Sequence, residues 1–255
     1  MDASDGPAAP DMPTLARSFQ GIGADYEQHR PGFPAAVLDL LVPQPFESVL
    51  DLGAGTGKLT ELLVTRTRRV TAVEPSAAML AVLTAKLPEV RAYLASAEAL
   101  PVEADSQDLV TVAQAFHWFD REAACAEIVR VLRPGGRLGL LWNTPDPACA
   151  WDVAAHQVAH PGMPLVERSD PPRQEELPGL QAVDATAVRW EEHLTRHEYL
   201  QRWSTVSTFL SAPRPLRAQM MAQVEDILDR DPDTAGREDL LLPHRTEVFL
   251  HRRPR

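Results

Sequence analysis

The 255-residue chain predicts an α/β fold built on a mostly parallel sheet. Two observations lead to that prediction. Short apolar runs alternate with amphipathic segments over residues 34–143, and a glycine-rich turn follows the first of those runs. Such alternation is typical of βαβ units. The runs VLDL, VTAV, DLVTV and LGLLW are nearly continuous, as expected for strands covered on both faces.

The elements follow from this pattern in chain order. The predicted strands are residues 48–52, 69–74, 91–95, 106–112, 137–143, 185–192 and 240–250. The predicted helices are residues 14–19, 34–41, 59–67, 76–87, 121–132, 197–210 and 215–229. Ser76 can cap the helix that it begins, and the Pro134-Gly135-Gly136 turn separates the helix 121–132 from the next strand. Residues 144–180 are rich in proline and polar residues, and their periodicity is weak.

Composition excludes several classes of function. The net charge of -11 argues against a nucleic-acid partner, because phosphate binding depends on Lys and Arg, and the terminal HRRPR is short enough to be a solvated tail. No segment approaches the roughly 20 apolar residues of a membrane span. Residues 1–12 lack the basic and apolar regions of a secretory signal. Because their Pro, Ala, Asp and Gly cannot bury a core, they are expected to form a disordered leader. Cys125 and Cys149 form no paired-cysteine motif, so a cytoplasmic location is expected.

The turn after the first strand reads DLGAGTGKLT, residues 51–60. Asp51 ends the strand, and the glycines at 53, 55 and 57 allow positive φ and close approach of a ligand to the backbone. The nicotinamide dinucleotide fingerprint would require a third glycine at position 58, where this chain has Lys58. Glu74 ends the second strand, where an acid can bind ribose hydroxyls. The acid–glycine turn favours an adenosyl ligand with a cationic amino-acid part.

Five segments in register resemble the class I S-adenosylmethionine-dependent methyltransferases. They are VLDLGAGTGKLT, VTAVEPS, ASAEALP, DLVTVAQAFHWFD and VLRPGGRLGLLWN, and the resemblance covers residues 20–143 well. Within that family, AQAFHWFD and YEQHRPGFP look like bacterial small-molecule enzymes of the trans-aconitate type. The resemblance implies a Rossmann-like seven-stranded sheet whose last strand is antiparallel, with helices on both faces. It also implies S-adenosylmethionine as methyl donor and a small-molecule methyl acceptor, and leaves the oligomeric state open.

The resemblance carries roles to matching positions of this chain. Asp51, Gly53 and Gly55 would face the methionine part of the donor, and Glu74 would bind the ribose diol.

Three further pairs are implied in the same way. Ala97 and Glu98, after the third strand, would border the adenine, although Glu98 could also simply begin a helix. Gln114 and Ala115 would lie beside the sulfonium. The third pair, Tyr26 and Arg30, matches a segment that closes over the methionine end.

A single domain is expected over residues 13–255. Residues 13–33 would form a lid, 34–143 the donor-binding core, 144–180 an insertion that caps the acceptor, and 181–255 the remaining strands and helices. The acceptor wall is expected to include Tyr26, Phe116, Trp118 and Trp203.

His117 lies just beyond the fourth strand among aromatic residues. It can accept the proton that an acceptor loses, or it can cap the turn and orient the aromatic wall. Because displacement at a sulfonium depends mainly on alignment, the sequence favours the structural role. His29 is a second, weaker candidate on the lid.

No metal site is expected. The pairs His156/His160 and His193/His197 have helical spacing, but nothing obvious completes a ligand set.

Three functions remain open at the level of sequence: a small-molecule methyltransferase, a nicotinamide-dependent oxidoreductase, and a non-catalytic S-adenosylmethionine-binding protein. A nucleic-acid methyltransferase is a minor variant of the first.

Overall fold

The computed structural model describes residues 23–161 and 174–255. They form one seven-stranded sheet in the order β3-β2-β1-β4-β5-β7-β6. The strands are β1 (Ser48–Leu52), β2 (Arg69–Glu74), β3 (Arg91–Leu94), β4 (Gln107–Ala113), β5 (Leu132–Pro145), β6 (Gln181–Thr195) and β7 (Asp239–Arg252). The helices are α1 (Gly23–His29), α2 (Val37–Leu41), α3 (Thr60–Leu63), α4 (Ala77–Lys86), α5 (Arg121–Val131), α6 (Ala150–Ala159), α7 (Arg196–Trp203), α8 (Ser207–Ser211) and α9 (Arg214–Arg230). A 3-10 turn spans Phe116–Trp118.

The sheet confirms the predicted fold class. β1 pairs in parallel with both β2 and β4. The pairs β2–β3 and β4–β5 are also parallel. Only β7 among these strands runs antiparallel, between β5 and β6. The carboxyl ends of β1, β2, β3, β4 and β5 therefore lie along one edge of the sheet, where a ligand binds in folds of this kind.

Alternate residues of the central strands fill two cores, one on each face. Leu50 and Leu52 belong to the core beneath α5, and Val49 belongs to the core beneath α2 and α4. All three are at most 1% exposed. Burial of one such side chain contributes roughly 1.5–3 kcal/mol, which explains why these strands are apolar on both faces.

A third core joins α6, α7, α8 and α9 to the ends of β6 and β7. Helix α6 falls in the segment where the sequence showed weak periodicity. Its buried stripe is Trp151, Ala155 and Ala159, and two alanines give little hydrophobic signal. The predicted insertion 144–180 thus contains a helix, and its residues 162–173 lie outside the described part of the chain.

Some predicted boundaries were wrong. The helix expected over 59–67 is α-helical only at Thr60–Leu63, because it continues in tighter i→i+3 turns such as that from Thr65 N–H to the Leu62 carbonyl. The helix expected over 197–210 is two helices, separated by similar turns. The expected Pro134-Gly135-Gly136 turn lies inside β5, with Gly135 at φ +81°. The predicted helix at 14–19 and the predicted leader lie outside the described residues.

Two structural observations bear on the excluded functions. Within residues 23–161 and 174–255, the helices are too short or too polar to cross a membrane. The same residues bring together no group of three or more His, Cys, Asp or Glu side chains suited to a metal ion.

Candidate active site

The glycine turn between β1 and α3 has the backbone that its sequence predicts. Gly53, Gly55 and Gly57 have φ values of +68°, +57° and +86°. A Cβ on Gly53 would lie 2.6 Å from Cβ of Ala115, so that glycine is required for packing as well as for conformation. A Cβ on Gly55 would meet nothing closer than the Met79 sulfur at 3.8 Å. Backbone at Gly55 therefore borders open space that a ligand can enter.

Asp51 lies beneath this turn and is 1% exposed. The Thr60 hydroxyl donates to Asp51 Oδ2 at 2.6 Å, and the Thr111 hydroxyl donates to Oδ1 at 2.8 Å. Burial raises the pKa of Asp51 to about 6, and the two hydroxyls act in the opposite direction. Sequence reasoning missed both threonines, since their proximity to Asp51 depends on the turn and on the pairing of β1 with β4.

Glu74 ends β2 on the other side of the turn and is 6% exposed. Its Oε2 accepts the Gly55 N–H at 2.9 Å, and its Oε1 accepts the Ser76 N–H at 2.8 Å. Burial raises the pKa of Glu74, and these two donors oppose that shift. Because a carboxylate can accept about four hydrogen bonds, two backbone donors leave lone pairs for a ligand diol.

Tyr26 lies on helix α1, and Arg30 directly follows the last residue of that helix. The Arg30 guanidinium lies 5.5 Å from the centre of the Tyr26 ring, and its Nη2 donates to the Thr205 carbonyl at 3.0 Å. Burial raises the pKa of Tyr26, and the nearby charge of Glu74 adds to that shift. Arg30 Nε is buried and has no hydrogen-bond partner among the described residues. An anionic ligand group could accept a hydrogen bond from that N–H.

Ion pairs hold α1 against the core of the domain. Glu27 Oε1 lies 2.9 Å from Lys86 Nζ, and Glu27 Oε2 lies 3.7 Å from Lys58 Nζ. A Cβ on Gly23 would lie 2.7 Å from the Ala78 carbonyl oxygen, so α1 approaches α4 closely. The amide of Asn143, at the end of β5, donates to the Gly32 carbonyl at 2.8 Å. Asn143 was not predicted, and its signal was a polar residue ending an apolar strand.

The end of β4 carries a strained residue. Gln114 has φ +56°, which costs a non-glycine residue about 1–2 kcal/mol. Its Nε2 donates to the Asn143 carbonyl at 2.9 Å. The next residue, Ala115, is buried against Gly53. A strained backbone persists only where its surroundings hold it, so the backbone of Gln114 is held in one position at the edge of the site.

Ala97 and Glu98 follow β3 and lie near the start of α5. Ala97 is buried, and Glu98 Oε1 accepts the Asp120 N–H at 3.0 Å. The Glu98 contact fits its structural interpretation and leaves its proposed adenine contact a prediction.

His117 is exposed on the 3-10 turn, with its ring 4.5 Å from the Trp118 ring. Partial removal from water lowers the pKa of His117, and the nearby His160 adds to that shift. Among the described residues its ring forms no hydrogen bond that would cap the turn. The turn is closed instead by backbone bonds such as that from Trp118 N–H to the Ala115 carbonyl.

The predicted acceptor wall is only partly assembled. Phe116 and Trp118 lie together on the turn after β4, and both pack against the core beneath α5. Trp203 lies in the third core, 2% exposed, with its ring centre 5.5 Å from that of Phe209. The structure gives Trp203 a packing role, and its contact with an acceptor stays a prediction.

Comparison with known proteins places the chain in a family. A family model described as a methyltransferase domain matches residues 50–140. An uncharacterized methyltransferase of Mycobacterium tuberculosis is 38% identical over 233 residues, which cover 91% of this chain and 94% of that relative. An uncharacterized methyltransferase-like protein of Schizosaccharomyces pombe is 42% identical over 140 residues, covering 53% of this chain and 55% of the relative.

Solved structures share the fold. A protein of Anaeromyxobacter dehalogenans, provisionally named a type II methyltransferase, is 26% identical with a TM-score of 0.68, covering 88% of this chain and 98% of that one. The [4+2]-cyclase SpnF is 16% identical with a TM-score of 0.54, covering 98% and 99% of the two chains. The likeness to a cyclase concerns the fold alone.

Proposed function

The chain belongs to the class I S-adenosylmethionine-dependent methyltransferases, and we propose that it binds S-adenosylmethionine at the β1–α3 turn and methylates a small molecule. Membership of this family argues against the alternative of a nicotinamide-dependent oxidoreductase. The net charge of -11 supports a small acceptor over a nucleic acid. The resemblance to the trans-aconitate subgroup stays a prediction.

The observation that carries the proposal is the fit of the turn to such a donor. Gly55 leaves space beside its backbone, and Arg30 Nε is a buried donor that lacks a partner among the described residues. Glu74 would bind the ribose diol, and Arg30, Asp51 and Gly53 would hold the amino-acid end. S-adenosylmethionine, when bound, supplies a methyl group on a positively charged sulfur.

The other residues that the resemblance implies complete the proposed site. Tyr26 would cover the donor from α1, and Ala97 and Glu98 would border its adenine. Gln114 and Ala115 would set the distance between donor and acceptor, because their backbone is fixed by the strained φ and by close packing on Gly53.

We assign His117 the role of proton acceptor for an acceptor group that must lose a proton. This differs from the interpretation that the sequence favoured. It is supported by the exposure of the ring and by the lack of a hydrogen bond from the ring to the described residues. The lowered pKa keeps the imidazole neutral at pH 7, the form that can take a proton.

Calorimetry tests the donor site. S-adenosylmethionine and S-adenosylhomocysteine are expected to bind with micromolar affinity, and NAD without comparable affinity. Glu74→Ala should weaken donor binding by roughly 1–3 kcal/mol, since the ribose hydroxyls lose their partner. The matched control Glu122→Ala changes an exposed acid on α5 and should bind as the wild type does. Tight NAD binding, or equal donor binding by both variants, would contradict the proposed site.

A further inference from the structure

A cavity of about 560 Å³ lies on the face of the sheet that carries α5. Its floor is formed by side chains that alternate along the paired strands β5 and β7, which include Leu140, Trp142 and Phe249. Leu140 is directly opposite Phe249 in the register. The turn after β4 and Leu177 also line the cavity.

The cavity is lined by aromatic rings in edge-to-face pairs. The Trp142 and Phe249 rings are 5.4 Å apart with an interplanar angle of 82°, and the Phe116 and Phe119 rings are 5.9 Å apart at 71°. Cavities of roughly 300–1,000 Å³ with such walls hold drug-sized molecules that are mostly apolar. Ring-bearing ligands are favoured, because they can continue the edge-to-face contacts.

The cavity lies next to the proposed methyl-transfer site. Phe119 lines the cavity, and its Cζ would lie only 3.2 Å from a Cβ placed on Gly53. His117 also lines the cavity. One aromatic ring thus separates the cavity from the glycine turn, and the assigned proton acceptor lies in the cavity wall.

The polar groups of the cavity select against an anion. Glu175 and Glu247 contribute carboxylates to its lining. The one arginine among its described lining residues, Arg121, lies 2.8 Å from Glu175 and also donates to the Glu176 carbonyl. Glu247 is paired in turn with Arg245, 3.6 Å away. A carboxylate or phosphate on a ligand would therefore meet two carboxylates and no unengaged arginine among the described lining residues.

His251 supplies a hydrogen-bond acceptor at the cavity. Its Nε2 lies 3.0 Å from the Glu175 carbonyl oxygen and must donate to it, so Nδ1 of the neutral ring is an acceptor. The side chain is 1% exposed, and Nδ1 has no partner among the described residues. Because this nitrogen is buried, a ligand hydroxyl or N–H would reach it only if the surrounding side chains move.

From these contacts we propose that the cavity binds the uncharged, ring-bearing part of the methyl acceptor, with the reacting atom at the His117 end. Leu140, Trp142 and Phe249 then determine acceptor specificity. The proposal rests on the proposed function for its link to methylation, but the existence of the binding site can be tested without turnover.

The test uses 1-naphthol, an uncharged bicyclic probe with one hydroxyl, in calorimetric titrations of the full chain without donor. We expect one saturable site. Leu140→Phe, which fills the cavity from its floor, should weaken binding at least tenfold. Leu241→Ala, at an exposed β7 position outside the cavity lining, should leave binding unchanged. The anion 1-naphthoate should bind at least tenfold more weakly than 1-naphthol.

Three further readouts separate the possible failures. S-adenosylmethionine binding by each variant shows that it is folded and tests the donor site independently of the cavity. In a reaction with methyl-labelled donor and metabolite extract, 1-naphthol should lower labelling without displacing the donor. Non-saturable binding of 1-naphthol, equal binding by Leu140→Phe, equal affinity for 1-naphthoate, or undiminished labelling would each overturn the assignment of this cavity to an uncharged acceptor. Loss of donor binding in the wild type would instead overturn the proposed function.

Discussion

Asp51 and Glu74 are buried carboxylates that hold the same turn by different contacts. Glu74 accepts two backbone N–H groups, whereas Asp51 accepts two threonine hydroxyls. Both have a raised pKa, because the interior solvates a charge less well than water does. The charge of Asp51 therefore costs folding stability, and its proposed contact with the cationic end of the donor gives a reason for retaining it.

The effect of Asp51 on stability should depend on pH. Its pKa is about 6 in the folded state against an ordinary value of 3.8, so between these values the folded state binds more protons than the unfolded state. This carboxyl therefore lowers the free energy of unfolding as the pH rises from about 4 to 6, by about 3 kcal/mol in total. Asp51→Asn should match the wild type near pH 4 and be more stable by up to that amount at pH 8.

Urea unfolding of the protein without donor at several pH values measures this difference. Asp39→Asn is the control, since Asp39 is an exposed acid on α2 and its change should add no such trend. A difference between wild type and Asp51→Asn that is constant with pH would contradict the burial argument. A less stable Asp51→Asn at pH 8 would show that the two threonine hydrogen bonds outweigh the buried charge.

His117 can be examined through its ionisation. As proton acceptor it works only when neutral, so the rate should rise with pH through a value below the ordinary 6.5 of histidine. His117→Asn should lower turnover by roughly 10²- to 10⁴-fold and remove that rise, with donor affinity unchanged. His193→Asn, at an exposed β6 position, is the control. Loss of stability with an unaltered pH profile would assign His117 a structural role instead.

The two acids of the site could be predicted from the sequence, whereas the threonines that hydrogen-bond to Asp51 could not. Asp51 and Glu74 stand at the ends of apolar runs, and those ends meet at one edge of a parallel sheet. Thr60 and Thr111 approach Asp51 only once α3 begins and β4 pairs with β1, so no local pattern marks them. The strain at Gln114 is also invisible in sequence, because glutamine carries no sign of a positive φ.

At the scale of elements, α1 connects the glycine turn and α4 to the segment between α7 and α8. It is held on one side by Glu27 through Lys86 and on the other by Arg30 through the Thr205 carbonyl. Arg202 of α7 donates to the His29 carbonyl at 3.2 Å. Partly exposed ion pairs contribute up to about 1 kcal/mol each, so α1 is held by weak contacts that a ligand can reinforce.

Hydrogen exchange over residues 23–32 tests the predicted lid. Bound donor should slow exchange in α1, because the donor adds contacts to Tyr26 and Arg30. Glu27→Gln should speed exchange in the protein without donor by a few fold, since it removes the pairing with Lys58 and Lys86. Asp25→Asn lies on the same helix at an exposed position and should have little effect. Exchange that is unaltered at saturating donor would show that α1 does not act as a lid.

Helix predictions succeeded where capping or apolar periodicity was strong. Ser76 caps α4 through the Met79 N–H, as its position predicted. Asp120 caps α5 in the same manner, through the Ala123 N–H. Helix α6 escaped prediction because its buried stripe depends on alanines and on a third core that forms only when distant helices meet. Tertiary packing, rather than local propensity, accounts for this helix.

At the scale of the whole molecule, two cores lie on the two faces of the sheet, and a third joins the later helices to β6 and β7. The strand order and the single antiparallel strand agree with the resemblance that the five motifs carried. The sequence motifs end near Asn143, however, and the regions that would contact an acceptor lie partly beyond them. This is why the donor could be inferred from the sequence, whereas the acceptor class had to be argued from the cavity on β5 and β7.

The most direct test of small-molecule methylation is mass spectrometry of a metabolite extract incubated with the protein and methyl-labelled S-adenosylmethionine. We expect one or a few labelled products of low molecular mass, which form with the wild type and are strongly reduced with Glu74→Ala. Nucleic acid and protein fractions of the same extract should stay unlabelled. Donor binding without any labelled small molecule, or label confined to macromolecules, would contradict the central claim.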